Sequence, residues 1–259
     1  MAMKRIIRSF SSIINYKTFV VTTLSVLCTY LCFTYGLIAK FPDMLVGVAI
    51  VFPVVFSIGS AYNRRETALQ RWADFRGHAI AIYYASRDWT SDKNNELPTR
   101  VRELVTDMIH RTKHILACDR KDWKKNESEF YGLFSKLSSL TMELRNHGVQ
   151  SGEISRVSQY VSKMVIAFDN LKIIYQYRTP VTLRTYSKVF IYVFPILYGP
   201  YFASTFHDFS ASLEYVMPVL YSFILVSLDN IQDHLENPFD QVGEDDVDID
   251  AEETSLLLV

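Results

Sequence analysis

The sequence predicts an all-α membrane protein, with four transmembrane helices per subunit and an extended helical region outside the bilayer. Three observations carry that prediction. Apolar runs without interior charge stand at 18–39, 44–62, 189–206 and 213–228. The stretch between the second and third runs, 63–188, is rich in charge and reads as amphipathic helix, with no alternating strand pattern. The basic residues are unevenly placed: Lys4, Arg5, Arg8 and Lys17 precede the first run with no acid among them, and no Lys or Arg follows Lys188.

A basic start before an apolar run also fits a signal peptide. The first run argues against it: its uncharged stretch is about 22 residues, longer than a signal core and enough to cross a bilayer. The turn Lys40-Phe41-Pro42-Asp43 separates it from the second run. The fourth run has Glu214 at its edge and Pro218 inside, so packing against the others must hold it. Backbone exposed to lipid satisfies its polar groups internally, which makes each run a helix.

The region 63–188 contains several helices. Within 64–88, Ala68, Trp72, Phe75, Ala79, Ile82 and Tyr83 recur at helical steps. Leu97-Pro98 opens another helix, with Val101, Leu104, Val105, Met108 and Ile115 on one face. A third covers 130–144, a turn follows at Asn146-His147-Gly148, and a fourth runs over 152–177. Thr179-Pro180 ends it, because the residue before proline avoids the α region.

Arg64, Arg65 and Arg71 share a side of the bilayer with the basic N-terminus, whereas the two opposite loops offer only Lys40. The positive-inside rule puts both termini and the region 63–188 in the cytoplasm, in a multi-pass protein of the cell membrane. A net charge of −1 predicts no nucleic-acid partner. The cysteines Cys28, Cys32 and Cys118 form no secreted disulfide pattern. No phosphate-binding glycine loop or catalytic motif occurs, so no enzyme is expected. His110, His114 and Cys118 recur every four residues and offer a zinc alternative to plain bundle packing.

The second run is chemically the most distinctive. Val48, Phe52 and Phe56 are spaced by four and form one stripe along a helix. Small residues flank it: Gly47, Ala49, Ser57, Gly59, Ser60 and Ala61. Small residues let membrane helices approach closely. The stripe therefore suits either a ring of identical helices, with bulky groups toward the axis, or an ordinary lipid-facing or bundle-core face. Pro53 predicts a kink between Val48 and Phe56.

Leu45 to Ile50, then Ser60-Ala61-Tyr62-Asn63-Arg64 with Trp72, resembles the second membrane helix of bestrophins and their bacterial relatives. Arg178-Thr179-Pro180-Val181 resembles that family's entry to the third span, and Asn237-Pro238-Phe239 its closing signature. The resemblance implies a homopentameric ion channel conducting chloride and other small anions. It implies a hydrophobic neck at Val48, Phe52 and Phe56 and a cytosolic aperture at Ile154. Some bacterial relatives prefer cations, so a cation-selective homologue is the alternative, and a non-conducting membrane scaffold is the other. Eukaryotic members bind Ca²⁺ with acids after the closing signature. The matching acids here are Glu244, Asp245, Asp246, Asp248 and Asp250. The other reading of that 231–259 segment is a solvated strap paired with basic residues of the helical region.

Overall fold

The structure is a computed structural model that describes residues 14–40, 43–92, 95–118, 123–178, 180–205, 213–240, 246–249 and 258. Every regular element among them is helical: α1 Tyr16–Thr34, α2 Asp43–Asp88, α3 Leu97–Ala117, α4 Trp123–Glu143, a 3₁₀ turn Leu144–His147, α5 Ser151–Gln176, α6 Val181–Thr205 and α7 Leu213–Glu236. The chain divides into two compact units. The first holds Met1–Asn63, Arg178–Asn237 and Gly243–Asp245; the second holds Arg64–Tyr177, Pro238–Val242 and Asp246–Val259.

In the first unit, α1 packs on α6 and α7, which also pack on each other. Asn15 starts α1 through a capping box: its side chain accepts from the Lys17 N–H at 3.0 Å, and its own N–H donates to Thr18 Oγ1 at 3.3 Å. The helix stops at Thr34, short of the end of the uncharged run, where Gly36 takes a left-handed φ of 65°. The core of this unit joins Val21, Ile50, Val54, Ile191, Phe194 and Phe202. Gly199 allows a close crossing of α6 over α1, since a Cβ there would lie 3.3 Å from the Cys28 backbone carbonyl carbon.

The burial pattern of this unit is inverted relative to a water-soluble bundle. On α1 the buried row is Thr18, Val21, Ser25 and Thr29, while Phe19, Val20, Leu27, Tyr30 and Leu31 face outward. Val189, Val193 and Ile196 on α6 and Val216, Leu220 and Ile224 on α7 are also exposed. Continuous apolar surface on this scale marks an apolar surrounding. Among the described residues two helices are long and apolar enough to cross a membrane, α1 and the Gly47–Asp88 part of α2.

Charge gathers at one end of the bundle. Lys17 Nζ reaches Asp233 Oδ2 at 2.7 Å, Lys188 Nζ reaches Asp233 Oδ1 at 3.0 Å, and Asn15 donates to Asn230 at 2.7 Å. The helix α7 therefore runs past 228, where the apolar run ends, because its last turns are held by polar partners on α1 and α6.

The second unit has its own core, centred on Trp72, Phe75, Phe130 and Phe168, with the Phe130 and Phe168 rings stacked at 4.2 Å. Helix α2 shows no break at Tyr62: the second apolar run and the amphipathic segment after it are one helix of 46 residues that continues through Pro53. Helix α4 begins at Trp123, ahead of the expected 130, because Trp123 stacks on Tyr175 at 4.7 Å and donates to Glu127 at 3.2 Å. That anchor lies before the polar stretch Lys124-Lys125-Asn126-Glu127, which hides any apolar period. At the turn before α5, Gly148 adopts φ 82°, and a Cβ there would come within 2.8 Å of Ser91 Oγ.

Candidate functional site

The residues singled out on the second apolar run occupy the first third of α2. One face of this part of α2 is packed: Ile50, Val54, Ser57 and Ala61 are buried, Ile50 and Val54 in the core with α1, α6 and α7. The other face carries Val48, Phe52 and Phe56, exposed by 54%, 59% and 55%. The four-residue spacing therefore survives as an outward row. Val51 and Val55 widen it, both substantially exposed. Phe52 and Phe56 meet edge to face, with ring centroids 4.5 Å apart and an interplanar angle of 73°. In this pair the edge of one ring, which carries partial positive charge, meets the face of the other.

Beside the row lies a cavity of about 550 Å³, walled by Gly47, Val48, Val51, Phe52 and Val55 of α2 and by Tyr198, Tyr201, Phe202 and Tyr221 of α6 and α7. Gly47 keeps this wall thin, since a Cβ there would stand 3.4 Å from the Tyr198 hydroxyl. Of the small residues beside the row, Gly47 lines this cavity, Ala49, Gly59 and Ser60 are exposed, and Ser57 and Ala61 lie in the buried face; no charged side chain lines the cavity.

No protein-family model matches the chain, and no curated protein matches it by sequence. Solved structures do match. A bacterial bestrophin homologue from Klebsiella pneumoniae carrying a tyrosine-to-alanine substitution superposes with a TM-score of 0.80 at 15% identity, covering 93% of this chain and 97% of that one. The same homologue phased on zinc gives 0.78 at 15% identity over 94% and 96%. A tryptophan-to-alanine variant gives 0.80 at 16% identity over 93% and 95%. The chain has the bestrophin fold.

Within the bestrophin fold the remaining expected residues divide. Ile154 does not line a surface. It is 3% exposed, in the first turn of α5 and inside the core of the second unit. A side chain packed into its own subunit is closed to a passing ion, so the aperture expectation at Ile154 is corrected. In that turn Ser151, Gly152, Ser155 and Arg156 are the exposed residues.

Of the five tail acids, Glu244, Asp245 and Asp250 lie outside the described residues. The strap is anchored by its apolar members: Val247 and Ile249 are buried in the second unit's core, and the Val247 N–H donates to the Pro238 carbonyl at 2.8 Å. Asp248 points outward, 75% exposed and 3.9 Å from Lys113 Nζ. Carboxylates suit a hard cation chemically, but Ca²⁺ takes six to eight converging oxygens. Among the described residues no group of three or more His, Cys, Asp or Glu converges, and this includes His110, His114 and Cys118.

Sequence reasoning missed a polar cluster in the second unit. Lys172 reaches Glu127 at 2.9 Å and Asp169 at 2.9 Å, and Tyr131 donates to Asp169. Burial disfavours the Lys172 ammonium, yet its hydrogen bonds to Glu127, Asp169 and Tyr131 outweigh this and hold its pKa above the ordinary lysine range. Burial likewise pushes Asp169 up, and its bonds to Tyr131 and Lys172 pull it below the ordinary carboxylate range. Asp169 is three residues from Lys172, but Glu127 and Tyr131 are 45 and 41 residues away, so spacing gives no signal for the cluster as a whole.

Proposed function

We propose that the protein is a bestrophin-like ion channel, a homopentamer in the cell membrane that conducts chloride and other small anions, with both termini in the cytoplasm. The observation that carries this is the outward row of Val48, Phe52 and Phe56 on a helix whose opposite face is fully packed. A packed helix keeps its orientation. Five copies around an axis would bring five such rows together into a hydrophobic neck that gates by dewetting. Phe ring edges turned toward the axis would favour a partly dehydrated anion over a cation. The outward apolar faces of α6 and α7 support two further spans beside α1 and α2, giving four.

In this reading the acidic segment that carries Glu244, Asp245, Asp246, Asp248 and Asp250 is a solvated strap. The support is the burial of Val247 and Ile249 and the outward course of Asp248 beside Lys113. Titration of the assembled protein with calcium chloride tests this: saturable heat at micromolar calcium would restore the calcium site implied by the sequence resemblance.

The function is tested by reconstituting the purified protein in planar bilayers with asymmetric potassium chloride. The expected reversal potential lies toward the chloride equilibrium potential. Reversal toward the potassium potential identifies the cation-selective alternative. A mass in detergent of one or two 30.0 kDa chains, with no current, identifies a scaffold.

A further inference from the structure

At the charged end of the first unit, α7 carries two acids one turn apart, Asp229 and Asp233. They do not share the cations evenly. Asp233 takes Lys17 Nζ at 2.7 Å and Lys188 Nζ at 3.0 and 3.2 Å. Asp229 meets Lys17 at 3.5 Å through Oδ2, and its Oδ1 is buried with no hydrogen-bond partner. Three residues on stands Gln232, fully buried, with neither Oε1 nor Nε2 in a hydrogen bond. Residues three apart are neighbours on a helix face, about 5–6 Å between Cβ atoms, so the amide is within reach of Asp229 Oδ1. Buried polar groups left unpaired cost free energy. Two of them side by side point to a bond that one more proton would make.

An amide serves either form of a carboxyl, donating to the anion or accepting from the acid. The surroundings choose. The charged and titratable groups at this end are Lys17 from α1, Arg184 and Lys188 from α6, and Asp233, His234 and Glu236 from α7 itself. Both lysines sit closer to Asp233, and Arg184 faces Glu236 at 3.8 Å. Between Met44 and Asn63, α2 brings no charge. Burial disfavours the Asp229 anion, and the Asp233 charge adds to this. Lys17 and Lys188 offset the two only in part, which leaves the Asp229 pKa above the ordinary carboxylate range. Burial pushes Asp233 up as well, but its hydrogen bonds to Lys17 and Lys188 pull it below that range. Paired acids driven apart in this way divide their duties, one as the anion and one as the acid.

We propose that Asp229 is a proton-binding site: Oδ1 takes up one proton from water and donates it to Gln232 Oε1, while Asp233 stays the anion that holds Lys17 and Lys188. Only the O–H bond is made. Uptake leaves the start of α1 tied to α7 through Asp233 alone, so pH sets the strength of that tie. The inference stands apart from the neck reading, since every residue in it lies at the bundle end.

Infrared difference spectra of the assembled protein, labelled with carbon-13 aspartate and titrated downward from pH 8, read the proton directly. The expected signal is the C=O stretch of one protonated aspartic acid that appears well above pH 3.9, the ordinary aspartate value of about 3.9 being its reference. Asp229→Asn removes that band, and Glu236→Gln keeps it. Gln232→Leu keeps the band but moves it to the frequency of an acid without a hydrogen bond. The thermal midpoint gives a second reading. A raised folded pKa contributes stability that is complete below the ordinary value and is lost as pH rises through the folded one. Wild type should therefore close a gap of a few degrees to Asp229→Asn as pH falls. A spectrum with no aspartic acid band above the ordinary range overturns the proposal on wild type alone, whether or not the variants assemble. A band that survives Asp229→Asn, or a thermal gap that is constant with pH, overturns it too, and a band unmoved in Gln232→Leu overturns Gln232 as the acceptor.

Discussion

The Phe56 ring meets Phe52 edge to face at 4.5 Å, and both rings point away from the core that holds Ile50 and Val54. One helix thus carries an exposed row and a buried row, and substitutions should separate them. Phe52→Ala removes a mostly exposed ring and one aromatic pair, a stability cost within about 1.5 kcal/mol. It should raise or deregulate current in planar bilayers. Ile50→Ala, in the buried row, should cost about 2–5 kcal/mol. Its folded fraction should conduct like wild type. Thermal unfolding in detergent together with bilayer recording checks the pair, and the reverse pattern would assign the exposed row to packing.

The cluster around Lys172 should show in the pH dependence of stability. Asp169 is held below its ordinary pKa, so its contribution is present above about pH 4 and is lost as pH falls through the depressed folded value. Lys172 is held above its ordinary pKa, so its contribution persists through neutral pH and is lost only in strong alkali, as pH rises through the raised folded value. Lys172→Met should cost about 1–3 kcal/mol at neutral pH, because Glu127 and Asp169 then share a half-buried site without a cation. It should also shift the acid limb of the stability curve. Chemical denaturation at a series of pH values measures both.

The crossing at Gly199 is tight: a Cβ there would stand 3.3 Å from Cys28 atoms, so α1 would have to give by a few tenths of an ångström. Gly199→Val should destabilise by about 1–3 kcal/mol through overpacking. Pairing it with Cys28→Ala should recover only part of the loss, because backbone as well as side-chain atoms of Cys28 stand in the way. The thermal midpoint in detergent checks this.

The acidic strap should respond to its apolar residues and not to Asp248. Val247→Asp buries an unpaired carboxylate in the second unit's core and should release the strap to limited proteolysis. Asp248→Ala removes only an exposed pair at 3.9 Å and should cost no more than about 0.5 kcal/mol. Equal proteolytic sensitivity in both variants would mean that charge holds the strap.

Much of this protein is legible one residue type at a time. Hydropathy places the apolar runs, and glycine marks the turn at Gly148. Period four puts Val48, Phe52 and Phe56 on one face of α2. Periodicity failed where a single long-range contact sets the boundary, as at Trp123, whose partner Tyr175 lies far along the chain. Nor does it say which positions the neighbouring helices bury, as at Ile154.

The sequence by itself determined helix content, the apolar runs and the row on α2, because these follow from the local period of side chains along a helix. Only the tertiary structure decided which side of each helix faces out. The row on α2 could have been buried; it is outward because Ile50 and Val54 are taken up by α1, α6 and α7. Ile154 could have been outward, and the core of the second unit takes it in. A helical pattern fixes which residues share a face, and the neighbouring helices fix what that face meets.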